Sequence, residues 1–174
     1  STREIATVVG ITQPALYHHF GGKEELYIAV LEDELRTRSQ AMWEAARLDL
    51  PPRQRLEAIA SVTAERSEHD LSQMFHDLRF EISEGNRQRI RGVFREAMLQ
   101  PMLTVIEDME REGAMAPARN LGLSHREVAM LVLSTVRVLT KSGWGPDDSW
   151  RTPDHVSEIA VRLVVNGIGA GNAE

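Results

Sequence analysis

A short N-terminal stretch, STREIATVVGITQPALYHHFGGKEEL, brings Thr2, Arg3, Gln13, Pro14, Ala15, Tyr17, His18, His19 and Lys23 close together in the chain. These residue types suit contact with a DNA duplex. An arginine guanidinium grips guanine through two hydrogen bonds, and a glutamine amide does the same for adenine. Threonine, tyrosine, histidine and lysine donate to phosphate oxygens without reading sequence.

Such contacts need a rigid rod to hold them. Ser1 followed three residues later by Glu4 reads as a capping box, so a helix is predicted from about Ser1 or Thr2. Ile5, Ala6 and Val9 form its apolar stripe, and Gly10 supplies the left-handed turn that ends it. Thr12 is placed to cap a second helix, which Gln13 and Pro14 open. Leu16 and Phe20 then face inward, while Ala15, Tyr17, His18 and His19 stay outside with Gln13 and Pro14. A helix presenting its N-terminus and small, polar or aromatic side chains fits a major groove. The same helix, glycine, helix order also occurs in all-α proteins with no nucleic-acid role.

The strings T-R-E-I-A, G-I-T-Q-P-A-L-Y-H-H-F and K-E-E-L resemble the DNA-binding head of the tetracycline-repressor (TetR) family of bacterial transcriptional regulators. The resemblance covers residues 1 to about 30 in detail and the remainder only as an all-helical layout. It implies that Arg3 and Gln13 reach base edges and that Pro14 and Ala15 make apolar base or close backbone contacts. Thr2, Tyr17, His19 and Lys23 fall on phosphate-contacting positions, and His18 either contacts DNA or flanks the helix. The family pattern also implies a helix ahead of Ser1, packed on Ile5, Val9, Leu16 and Phe20. Gly22 stands where that pattern usually places a serine cap.

The expected architecture is all-α. Residues 1–30 form a helix-turn-helix head lacking its first helix, and residues 31–174 a larger effector-binding and dimerisation domain. Net charge is −6, and residues 1–30 hold only Arg3 and Lys23 against Glu4, Glu24 and Glu25. A charge-driven binder would be strongly basic, so affinity must come from a few placed contacts duplicated by a dimer. With no cysteine there is no disulfide framework, which agrees with a reducing cytoplasm. No run of apolar residues reaches membrane-spanning length. The expected setting is a bacterial cytoplasm, with no membrane partner and no cofactor.

Beyond the head, a long helix is predicted from Lys23 to about Ala46, a second over about Pro52 to Glu68, and a short third capped by Asp70. A long element follows from about Ser83 to Arg111, kinked where Pro101 removes a ladder bond. Gly113 to Leu123 reads as a loop, and Ser124 with Glu127 as a capping box. The helix after it is apolar nearly all the way round, and Thr152-Pro153 starts the last helix. Two such helices predict a four-helix seam with a second copy, placed at Met130, Leu133, Val136, Val161 and Val165; the alternative is a monomer with central last helices.

An effector pocket is expected around the Pro101 kink, lined by Trp43, Met74, Phe75, Leu78, Met98, Met102 and Val132, whose pliable apolar surface suits a largely apolar small molecule. The same stripe also reads as ordinary core. Arg137 neutralises an acidic effector, pairs with a carboxylate such as Glu158, or fringes the dimer seam; His76 is a lesser candidate. The resemblance implies a dimer on a palindromic operator, acting as a repressor released by the effector, with an activator as the variant. An all-α interaction scaffold without operator binding is the competing class. An enzyme is not expected. Adjacent His18 and His19 point about 100° apart and chelate poorly, and no phosphate-binding loop, nucleophile elbow or cysteine nucleophile is present.

Overall fold

The structure, a computed structural model, describes residues 2–65, 82–141 and 152–169. Two helices of eight residues, α1 (Thr2–Val9) and α2 (Gln13–Phe20), precede the long α3 (Lys23–Ala46). Then come α4 (Pro52–Glu65), α5 (Glu84–Phe94), a π-helical turn at Arg95–Leu99, α6 (Gln100–Arg111), a 3-10 turn at Ala118–Leu121, α7 (His125–Lys141) and α8 (Pro153–Gly169). The described residues contain no strand. The expected third helix, with Met74, Phe75, His76 and Leu78, lies outside the described residues, as does the Ser1 half of the first capping box.

Local chemistry accounts for the boundaries. Gly10 and Gly21 both take the left-handed conformation that L-residues avoid. At Gly21 this lets the backbone N–H donate to the Tyr17 carbonyl at 2.8 Å and close α2. Ser124 and Glu127 form the expected reciprocal box: the Ser124 N–H and hydroxyl donate to Glu127 at 2.7 Å each, and the Glu127 N–H donates back at 3.3 Å. The Gly113–Leu123 connection includes the 3-10 turn.

The run from Glu84 to Arg111 is continuous, and the expected kink is absorbed as a π turn. Pro101 has no N–H for the Ala97 carbonyl, and its ring crowds that turn. Widening the register resolves this: the Gln100 N–H donates to the Arg95 carbonyl, five residues back.

Two separate cores result. Ala6, Leu16 and Leu26, with the half-buried Phe20, form a small one in the head. The large core gathers Leu35 and Met42 of α3, Leu56 and Ile59 of α4, Met98 and Leu99 of the π turn, Met102, Val105, Ile106 and Met109 of α6, and faces of α7 and α8. Helix α4 is its hub, packed against α3, α6, α7 and α8. Polar ties fix it in place. Arg55 donates to Asp108 at 2.9 Å and to the Ala46 carbonyl at 3.2 Å, joining α4 to α6 and the end of α3. The Ser61 hydroxyl donates to Asp154 at 2.9 Å, joining α4 to the start of α8.

The last two helices differ from the all-round apolar reading. Helix α7 buries one stripe, Val128, Ala129, Val132 and Val136, and α8 buries Val156, Ala160, Val161 and Val165. Val136, Val161 and Val165, expected at a seam between copies, are therefore core residues of their own chain. At 100° per residue their stripes point at α4 and at each other, and one chain suffices to cover them. The outward apolar face consists of Met130, Leu131 and Val138 on α7 and Leu163 on α8, with Leu133 half-buried at its edge.

Candidate nucleic-acid interface

Helix α2 is held open at its leading end. The Thr12 hydroxyl accepts the Ala15 N–H at 3.3 Å, satisfying one orphan donor, and Pro14 presents none. Pro14, Ala15, His18 and His19 are exposed, and Gln13 and Tyr17 half-buried. One turn apart, the Gln13 side-chain amide donates to the Tyr17 hydroxyl at 3.3 Å. That bond restricts the glutamine before any ligand arrives. The His19 ring meets Phe20 edge-on, with centroids 4.9 Å apart, so its orientation is set by the head's core residue.

Arg3 is exposed on α1, whose Thr7 hydroxyl bonds back to the Arg3 carbonyl at 2.9 Å. Thr2 opens the same helix, its side chain outside the described set. Lys23 is exposed at the first position of α3, and Gly22 before it offers no side-chain cap, as the sequence suggested. The expected contact residues thus sit on two short helices and the start of a third, with Ala6, Leu16 and Leu26 on their buried side. Ile5 and Val9 are exposed, so of the first stripe Ala6 alone enters the core.

One joint was invisible in the sequence. Glu24, in the first turn of α3, accepts the Ser83 N–H at 2.8 Å, the Ser83 hydroxyl at 2.6 Å and the Asn86 amide at 3.0 Å. Asn86 also donates to Glu25 at 2.7 Å, and Arg89 clasps Glu32 at 2.6 Å through Nε. The root of the head is thereby bonded to the N-terminus of α5, where a carboxylate is favoured by the helix dipole. The Ser83 hydroxyl, then the Asn86 amide and the Ser83 N–H, hold the Glu24 carboxyl below its ordinary value. A lowered carboxyl value means that the bonds stabilise the fold at neutral pH and are lost as pH falls through the folded-state value. Amide exchange over residues 83–87, corrected for its intrinsic pH dependence, is expected to accelerate on acidification. Glu24→Gln should show that acceleration already at neutral pH and little further change; an unchanged profile in the variant would mean that Glu24 does not hold the joint.

The expected effector residues are only partly brought together. Met98, Met102 and Val132 are fully buried in the large core, whereas Trp43 is half-buried beneath the Arg47 guanidinium, 5.3 Å from the ring centroid. Trp43 opens onto a groove of about 450 Å³ with Arg36, Ser39, Gln40, Glu44 and Arg47. Arg137 is exposed, one residue round from the buried Val136, and so does not enter the core; Glu158 pairs instead with Arg162 at 3.7 Å. The buried charge lies elsewhere. Arg38 is 2% exposed on α3, bonded through Nε to Glu34 at 2.8 Å. Its position on the stripe Ile28, Leu35, Arg38, Met42 was the signal that could have found it.

No helix among the described residues is long and apolar enough to cross a membrane. Residues 1–30 match the family model for bacterial regulatory proteins, tetR family. The HTH-type transcriptional activator FasR of Mycolicibacterium smegmatis is 39% identical over 67 residues, a region covering 38% of this chain and 31% of FasR. The fold is similar to that of the TetR family transcriptional regulator PfmR from Thermus thermophilus, at 20% identity with a TM-score of 0.67 over 95% of this chain and 87% of that one. It is also similar to the transcriptional regulator FadR from Bacillus subtilis in complex with stearoyl-CoA, at 18% identity with a TM-score of 0.72 over 97% and 88% of the two chains.

Proposed function

We propose that this chain, whose head belongs to the tetR family of bacterial regulatory proteins, is a dimeric transcriptional repressor that binds a palindromic operator and is released by a small molecule. The observation carrying this reading is the capped, exposed leading end of α2, where Gln13 is already steadied by Tyr17. Two such helices about one turn of DNA apart, roughly 34–36 Å, read the two halves of a palindrome. The second copy docks on the outward apolar face of α7 and α8. Residues 1–30 act as the head and residues 31–174 as the effector and dimerisation domain. The setting is a bacterial cytoplasm.

In this reading Arg3 and Gln13 contact bases, Pro14 and Ala15 make apolar base or close backbone contacts, Thr2, Tyr17, His19 and Lys23 hold phosphates, and His18 contacts DNA or flanks the helix. The effector is largely apolar, which agrees with the methionine-rich core and with the stearoyl-CoA bound by the FadR of similar fold. It must bind the spacing that DNA rejects, and by linkage DNA weakens its binding equally. Selection of duplexes by the whole protein tests the reading, and enrichment of no palindrome would end it. On the selected site Gln13→Ala or Arg3→Ala should cost about 1–3 kcal/mol and relax one base preference, whereas Lys23→Ala weakens all sequences alike and lowers the salt slope by about one. An activator is the second reading, favoured by the name of FasR. Transcription in vitro from a promoter bearing the operator separates the two by its sign.

A further inference from the structure

The first turn of α3 belongs to three neighbourhoods at once. Lys23 is exposed, Leu26 lies in the head core with Ala6 and Leu16, and Glu24 and Glu25 are bonded to the first turn of α5. Two residues beyond Leu26, Ile28 is already buried in the large core. The two cores share no buried residue, and α1 and α2 pack chiefly on each other and on α3. The head therefore hangs on this turn.

Alone, the turn is poorly held. Gly22 at its cap offers no side-chain oxygen, so the leading N–H groups of α3 lack the support that Thr12 gives α2 and Ser83 gives α5. The seam with α5 supplies an anchor from outside. The Ser83 hydroxyl accepts the Asn86 N–H at 3.5 Å as it caps α5, and donates to Glu24 at 2.6 Å. The Asn86 amide donates to Glu24 at 3.0 Å and to Glu25 at 2.7 Å. One turn further along, Arg89 holds both oxygens of Glu32, through Nε at 2.6 Å and a terminal nitrogen at 2.5 Å, and reaches Glu25 at 3.4 Å. Bonds of this kind, with one or both partners charged, fix direction as well as distance. None of the six side chains is in the buried class, so opening the seam leaves both apolar cores packed.

We propose that Glu24 and Asn86 are positioning residues for operator binding, bracing the head against α5 and thereby fixing the separation of the two recognition helices. The inference rests on the dimeric, operator-binding reading above and names the element that sets its half-site spacing. Neither residue is among those assigned to base or phosphate contact, so the brace acts on geometry and not on base reading. Adding one base pair between half-sites moves the second by about 3.4 Å along the duplex and turns it by about 34–36°. Braced heads do not follow such a shift; unbraced heads do.

The test presents the whole protein with its selected palindrome and with versions lengthened or shortened by one base pair between the half-sites, read by fluorescence anisotropy. The wild type should prefer the selected spacing ten-fold or more. Asn86→Asp keeps the side chain's shape but sets a third carboxylate against Glu24 and Glu25. It should bind the selected spacing about ten-fold more weakly, and its spacing preference should shrink to within about three-fold, while reselection returns the same bases inside each half-site. Adding Glu24→Gln and Glu25→Gln, whose amides donate to the new carboxylate, should bring the preference back to five-fold or more. If thermal melts show Asn86→Asp to be unfolded, Asn86→Ala, which removes the donor without adding charge, is read by the same criteria. A spacing preference that survives the substitution, or a loss of affinity accompanied by lost base preference and lost amide protection over residues 2–20, overturns the brace and leaves operator binding standing. A wild type indifferent to spacing does the same. Failure of the wild type to select any palindrome removes the operator reading itself, and the brace with it.

Discussion

Replacing Leu131 and Leu163 together by aspartate is expected to convert a dimer into a folded monomer and to weaken operator binding by about 10²–10⁴-fold. Both side chains point outward from adjacent helices, at 44% and 59% exposure, beside Met130 and Val138. Because neither belongs to the chain's own core, the change should leave its internal stability within about 0.5 kcal/mol. At a self-complementary interface each substitution occurs twice, and the introduced carboxylates would be desolvated against apolar surface or against one another. Losing the partner makes the second half-site contact intermolecular again, and the effective concentration supplied by the linkage disappears. Sedimentation equilibrium reads the mass and fluorescence anisotropy the affinity. A wild-type chain that sediments as a monomer at micromolar concentration would remove the basis of the prediction, as would a double variant that stays dimeric.

That outward face shows what one chain's sequence can and cannot disclose. Short-range signals read correctly because their causes lie within a turn or two: Thr12 capping α2, the left-handed Gly10, and the reciprocal Ser124–Glu127 box. The distribution of apolar residues on α7 was harder. Its sequence is apolar at so many positions that periodicity singles out no face, and only the place of α4 decides that Val132 and Val136 are covered and Leu131 and Val138 are not. The Glu24–Ser83 bond joins residues 59 apart in the chain, and no local spacing announces it. Arg38 is the opposite case. Its position on the α3 stripe was visible, but a charged residue there reads as an interruption of the stripe until burial shows it to be a member.

The head makes the second large effect. Leu16→Ala is expected to unfold α1 and α2 locally and abolish operator binding while the rest of the chain stays folded. Leu16 is one of three buried apolar residues in the head cluster, with Ala6 and Leu26, and only Phe20 packs beside them. Truncating a buried leucine costs about 2–5 kcal/mol, and the cost is greatest where surroundings cannot collapse into the space. Helices of eight residues are too short to persist without tertiary packing, so the loss falls on the whole motif and not on one side chain. The large core shares none of these buried residues and retains α4 as its hub, so its transition should keep its midpoint. Calorimetry should therefore separate an early head transition from the main one, and hydrogen exchange should place the lost protection in residues 2–20. A single transition lowered as a unit would mean that head and body unfold together. In that case the joint from Glu24 to Ser83 and Asn86 couples the two cores more strongly than their separate side-chain clusters suggest.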